Sequence, residues 1–188
     1  MPKILPPSFF DRPSLLVSRE LLGKYLVRKV GNETTRLMIT ETEAYDGFRD
    51  LASHARRGET KRNYPMFGPP GIIYVYFTYG MHWMLNISTR EKGYPAAILI
   101  RGAVPVSVTR GQLRRGKEIS GPARLTKALS IDKNLSGMKL GRKASLWIEE
   151  SEIKIPKKDI LRTPRIGIAS SGLIWSQKPW RFILKKNG

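Results

Sequence analysis

The stretch Ile39-Thr40-Glu41-Thr42-Glu43-Ala44-Tyr45 limits the possible folds of this chain more than any other. Its strict alternation has the period of a strand, and a strand carries residues two apart on one face, so Glu41, Glu43 and Tyr45 share a surface. A second strand is signalled by the β-branched and aromatic run Gly71 to Thr78. Tyr79-Gly80 is the tip of a hairpin that returns through Met81 to Ser88. Between the two strands, Asp46 to Pro70 is long, polar and rich in Arg, Gly and Pro, and it contains His54. A connection of that length is either flexible or functional, and its position predicts that it walls a site.

The remaining elements arrange themselves around this block. Asp11-Arg12-Pro13-Ser14 opens a helix with Leu15, Leu16, Leu21 and Leu22 toward the core, and Gly23 stops it. Tyr25 to Val30 reads as a strand, turned by Gly31-Asn32-Glu33 into the acidic one. Ala96 to Arg101 is a further apolar strand ending on a charge. Ser107 to Lys117 is expected as a helix despite Gly111. Ser120-Gly121-Pro122-Ala123 starts another helix, carrying Arg124 and Lys127. After Ser145, SLWIEE, RIGIAS and WRFIL read as short strands, with Trp147, Trp175 and Trp180 in or near the core. The expectation is an α+β chain: a single compact domain over 1–188, with a mainly antiparallel curved sheet and a few peripheral helices.

Charge narrows the partner. Against 34 Lys and Arg stand 15 Asp and Glu, a net charge of +19, which points to a polyanion, nucleic acid before an anionic membrane. The chain has no cysteine and two histidines, His54 and His82, so disulfides, thiolate zinc sites and thiol catalysis are excluded. Neither a signal peptide nor an apolar run of membrane-spanning length is present, so the protein is expected to stay where it is made.

Each candidate group has an ordinary alternative. Strand-borne Glu residues are usually structural, and two of them side by side cannot flank a sugar from opposite faces. One working carboxylate is therefore expected, the other being bound to a base such as Arg56 or Arg101. His54 is by default a surface histidine, and Tyr74 and Tyr76 are by default sheet aromatics. Tyr79, followed by Gly at a hairpin tip, has no inward face to fill and suits insertion into a base stack. Aromatics interleaved with basic residues also fit a non-catalytic single-stranded DNA or structured-RNA binder, in which a carboxylate such as Glu43 has no obvious work.

At these residues the sequence resembles the alkyladenine (3-methyladenine) DNA glycosylase family. The shared motifs are E-T-E-A-Y (Glu41 to Tyr45), A-x-H (Ala52 to His54), R-N-x-x-M-F (Arg62 to Phe67), P-G-x-x-Y-V-Y-x-x-Y-G-M (Pro70 to Met81), Met84 to Ser88, and G-P-x-x-L (Gly121 to Leu125). That many motifs in one order is specific. The resemblance implies that Glu43 activates the attacking water and that Arg101 helps orient it. It implies that Tyr45, His54 and Tyr76 hold a flipped base, that Asn86 disfavours normal guanine, and that Tyr79 fills the vacated stack with Met81 beside it. It further implies a monofunctional hydrolase that needs no cofactor or metal, acts as a monomer on duplex DNA containing damaged purines, and makes no membrane contact. Its place would be the bacterial cytoplasm, at the nucleoid, or the nucleus of a eukaryote.

Overall fold

The computed structural model describes residues 3–78, 80–109 and 112–185, with the backbone alone at 108, 109 and 112–114. The spine is β2 (Glu33–Asp46), which exceeds the acidic heptapeptide at both ends. It is hairpinned to β1 (Tyr25–Val30) and paired along its other edge with β5 (Ala96–Thr109). The path continues from β5 to β4 (His82–Ser88) and β3 (Ile73–Thr78), and from β1 to β8 (Leu146–Glu149). All of these pairings are antiparallel, and the sheet curls into a half-barrel. β1 covers only the first half of β2. Beside the second half lies β10 (Arg181–Leu184), which also pairs with β9 (Ile160–Thr163). The catalytic candidates therefore sit on a strand hydrogen-bonded on both edges, which fixes their direction before any side chain is considered.

Among the described residues, four short α-helices lie outside the sheet: α1 (Pro7–Phe10), α2 (Ser14–Glu20), α3 (Pro122–Ala128) and α4 (Leu173–Ser176). α2 packs on β2; Leu21 and Leu22 are buried and Leu15 is half-buried against the core, as the apolar spacing predicts, whereas Leu16 is half-buried outside the core cluster and the unforeseen Val17 is buried in it. Gly23 follows at φ +84, where a side chain would also strike Ile155. The core lies between this helical side and the sheet and is filled by Leu26, Leu37, Ile39, Ile73, Leu85, Ile87, Ile98 and Ile100. Among the described residues no helix is long and apolar enough to cross a membrane.

Two sequence expectations are corrected. The segment expected as a helix, Ser107 to Lys117, contains the end of β5 and the strand β6 (Gln112–Arg115), which pair with each other, and the short β7 (Ile119–Ser120) follows, paired with β5 at Gly102 and Ala103. The Ser-Val-Thr run favours extended backbone, and Gly111 denies the helix its interior. RIGIAS is not a strand. Pro164 precedes it, Gly167 takes φ +76, and Ala169–Ser171 is a 3-10 turn. The missed strand lies just before it, at Ile160–Thr163. Trp147 is buried as expected, whereas Trp175 and Trp180 are half-buried, edge to face with one another.

Candidate active site

A cleft of about 520 Å3 opens over the end of β2. Its walls come from Tyr45 and Arg101, from Tyr76, Met84 and Asn86 of the β3–β4 hairpin, from His54 in the long loop, and from residues 166–168. Chain segments far apart in sequence thus meet at one concavity. Tyr79 lies outside the described residues. Met81, two residues on, projects from the hairpin tip and is 67% exposed.

At the floor, β2 and β5 lose their regular register: Glu41 pairs with Gly102 and Thr42 with Ile100, so Thr40 and Arg101 have no direct partner. The irregularity re-aims Arg101, a usual effect of a bulge. Arg101 Nε donates to Glu41 Oε1 at 2.8 Å, and Arg181 Nε donates to the same oxygen at 2.6 Å. Of the two bases expected to hold one of the carboxylates, Arg101 binds Glu41, with Arg181 as the second partner, and Arg56 bonds the Leu51 carbonyl. Gly102 makes this pairing possible, since a Cβ there would approach Glu41 Cβ and Thr40 Oγ1 to 3.1 Å.

Glu43 is treated differently by its surroundings. It has no exposed surface, and Arg101 Nε stands 3.4 Å from its Oε1, farther than from Glu41. The donors to Glu43 are the Ile166 backbone N–H, to Oε1 at 2.8 Å, and the Tyr45 hydroxyl, to Oε2 at 3.0 Å. Burial raises its pKa above the ordinary glutamate range, and Arg101, the Ile166 N–H and Tyr45 each pull it back. Two guanidinium groups balance Glu41. Glu43 accepts a hydrogen bond on each oxygen and has only a shared cation.

His54 Nδ1 lies 3.0 Å from the Tyr74 hydroxyl, and its ring stands edge to face on Tyr76 at 4.5 Å. The ring is open to solvent in the cleft yet crowded by these aromatics. That crowding, with the Arg62 charge, lowers its pKa to about 4, so at neutral pH it is an uncharged imidazole. Tyr74 is buried, as its default reading has it, but its hydroxyl orients His54. Asn86 is buried with its amide N–H groups directed to the carbonyls of Tyr74 and Met84.

Sequence reasoning missed the support behind Tyr45. Arg165 and Asp50, both without exposed side-chain surface, form a bidentate pair at 2.6 and 2.9 Å, and Arg165 also donates to the Ala44 carbonyl. The guanidinium carbon lies 4.7 Å from the Tyr45 ring centroid and 4.9 Å from that of Trp180. Asp50 in turn accepts from the Asp46 and Ala52 N–H groups, which ties down the loop that carries His54. One ion pair thereby braces Tyr45, the His54 loop and the segment that supplies the Ile166 N–H. The available signal was Pro164 and Gly167 around Arg-Ile, which mark a shaped turn rather than a strand.

Comparison with known proteins agrees with this geometry. Residues 8–188 match the family model described as methylpurine-DNA glycosylase. A relative from Methanocella arvoryzae is 44% identical, with 98% of this chain and 94% of the relative covered. A relative from Carboxydothermus hydrogenoformans is 43% identical, covering 98% and 96%, and one from Chlorobaculum parvum is 42% identical, covering 95% and 86%. All three bear the provisional name 3-methyladenine DNA glycosylase. The chain belongs to the methylpurine-DNA glycosylase family and is a monofunctional DNA glycosylase.

Proposed function

We propose that the protein extrudes an alkylated or deaminated purine nucleotide from duplex DNA into the cleft and hydrolyses its N-glycosidic bond with a water activated by Glu43. The observation that carries this reading is the contrast between the two neighbouring carboxylates. Glu41 is neutralised by Arg101 and Arg181, whereas Glu43 is buried and hydrogen-bonded on both oxygens, beneath an aromatic-walled cleft that its neighbours Tyr45, Arg101 and Ile166 line. Extrusion is required because the reacting sugar carbon is shielded within the stack, and a lesion costs less to unpair than an intact base.

The base slides between Tyr45 and the His54–Tyr76 pair. As the bond from sugar C1′ to the purine nitrogen breaks, its electron pair leaves with the base and positive charge builds on the sugar. The Glu43 anion stabilises that charge and takes a proton from the water that attacks C1′. A cationic base such as 3-methyladenine or 7-methylguanine departs neutral and needs no acid. Hypoxanthine and ethenoadenine depart as neutral bases only when a proton is supplied. Arg101, anchored on Glu41 and 3.4 Å from Glu43, orients the attacking water. Neutral His54 offers the base a hydrogen bond without repelling a cationic purine. Asn86 guards the purine edge where guanine alone carries an exocyclic amino group, Tyr79 enters the vacated stack, and Met81 lies beside it. The protein works as a monomer.

The test is single-turnover release of free 3-methyladenine and hypoxanthine. Glu43→Gln keeps the shape and removes the base, so release falls by at least about 10²-fold while lesion-bearing duplex still binds. Residual activity favours the cationic base. Wild-type release from Glu43→Gln would sink the assignment, and binding with no release by the wild-type protein would favour a non-catalytic nucleic-acid binder.

A further inference from the structure

On the far side of the β3–β4 hairpin from the cleft lies a second concavity, a groove of about 360 Å3 between Met81, His82 and Trp83 of the hairpin and Arg124 and Lys127 of α3. The hairpin divides the two spaces. Tyr76, Thr78, Met84 and Asn86 line the cleft, and Met81, His82 and Trp83 line the groove. The start of α3 spans both, with Pro122 lining the cleft and Ala123 the groove. Thr126 Oγ1 donates to the Trp83 carbonyl at 2.9 Å, which locks the helix to the hairpin and makes the groove a fixed shape.

Arg124 and Lys127 are exposed and three apart, so they rise from one side of α3. Among the described residues neither has an acidic side chain at ion-pair distance. The one acid in the groove, Asp132, is occupied in capping the next turn, where it accepts from the Asn134 N–H at 2.9 Å. Two cations without an ion-pair partner, beside the apolar surface of Met81 and Trp83, match a chain of phosphates joined by sugars.

We propose that this groove holds the backbone of the DNA strand opposite the lesion, with Arg124 and Lys127 on two of its phosphates. The inference rests on the reading that a flipped nucleotide fills the cleft. A nucleotide swung into the cleft draws its own strand to the cleft side of the hairpin. The tip occupies the opened stack, and the partner strand runs beyond it, where the groove lies. The groove is thus what lets the enzyme grip the strand that carries no lesion and hold the duplex open around the tip.

The experiment measures how affinity depends on salt for Arg124→Ala/Lys127→Ala, on a lesion-bearing duplex and on the lesion strand alone. Each duplex phosphate contact contributes about 0.9 to the slope of log affinity against log salt. The double variant is expected to flatten the duplex slope by about 1.8 and to leave the single-strand slope unchanged. A control pair, Lys157→Ala/Lys158→Ala, removes the same charge from residues that line neither concavity and is expected to change the duplex slope by less. An unchanged duplex slope, an equal change on the single strand, or an equal change in the control pair each overturns the proposal. Failure of the cleft reading shows separately, as an undiminished preference for lesion over intact duplex in Tyr76→Ala.

Discussion

The floor of the cleft and its rim solve opposite problems. At the floor and beneath it, Glu41, Glu43, Asp50, Arg101 and Arg165 are all buried, and each charge is met by a named partner within the chain. On the rim, Met81 is 67% exposed, and among the described residues the cations of α3 have no ion-pair partner. The floor is finished by folding. The rim is left for something else to finish, and on a chain of net charge +19 with a glycosylase's family the matching surface is DNA. Stability should therefore concentrate beneath the cleft and affinity around it.

The largest stability effect should come from Asp50→Ala. It strands a guanidinium that has no exposed surface, and breaking such a pair costs about 3–5 kcal/mol. Urea unfolding of wild type and variant measures it. A loss under about 1 kcal/mol would show that water reaches Arg165 and that the brace behind Tyr45 is dispensable.

Gly102→Ala is next. A Cβ there sits 3.1 Å from Glu41 Cβ and Thr40 Oγ1, and Thr40 is itself engaged with Glu118 at 2.8 Å. Overpacking of this kind costs about 1–3 kcal/mol. Because Glu41 must shift, Arg101 loosens, and excision should fall further than the stability loss alone would lower it at a temperature where the variant remains folded. Unimpaired excision would mean that Arg101 does not need Glu41 to hold its place.

The floor also carries a pH signature. The Glu43 pKa is raised by burial, so between 4.5, its ordinary value, and its folded value the native state binds more protons than the unfolded chain. Its contribution is fully present below 4.5 and is lost as pH rises through the folded pKa. His54 has the opposite sign. Its pKa falls from 6.5 to about 4, so its contribution is present above 6.5 and is lost as pH falls through about 4. In the proposed mechanism excision needs the Glu43 anion, and its acid limb is expected above the ordinary glutamate value. In Glu43→Gln the stability loss at rising pH should disappear while the His54 loss at falling pH remains. If the acid limb instead tracks the ordinary glutamate value, burial does not govern Glu43.

The same division explains what was legible in the sequence. Period-two alternation announced β2, and with it the shared face of Glu41, Glu43 and Tyr45, because strand periodicity is local. The wall-forming role of Asp46 to Pro70 was legible from its length and position. Asp50 and Arg165 are 115 residues apart, and no local pattern links them. Within the loop, Asp50 reads only as a turn residue bonding two positions on. RIGIAS misled through its alternating apolar residues, although Pro164 and Gly167 carried the contrary signal. Arg181 was hidden for a different reason: its strand reaches Glu41 and Glu43 only because β1 stops short along β2.

The smallest stability effect, and the sharpest test of the rim, is Met81→Ala. Its side chain is 67% exposed at the hairpin tip, so truncation removes almost no native packing, and surface changes of this kind stay within about ±0.5 kcal/mol. Affinity should respond differently. The apolar chain lies between cleft and groove, where an opened stack presents base faces, and burying it there removes apolar surface from water. Lesion-bearing duplex should dissociate faster from the variant, whereas the lesion strand alone, which has no stack to hold open, should dissociate at the wild-type rate. Stopped-flow dissociation of both substrates beside a urea melt gives the three numbers needed. Faster loss of both substrates would make Met81 a general contact, and a melt shifted by more than about 1 kcal/mol would make it part of the fold. Either result would erase the boundary between a floor that folding completes and a rim that DNA completes.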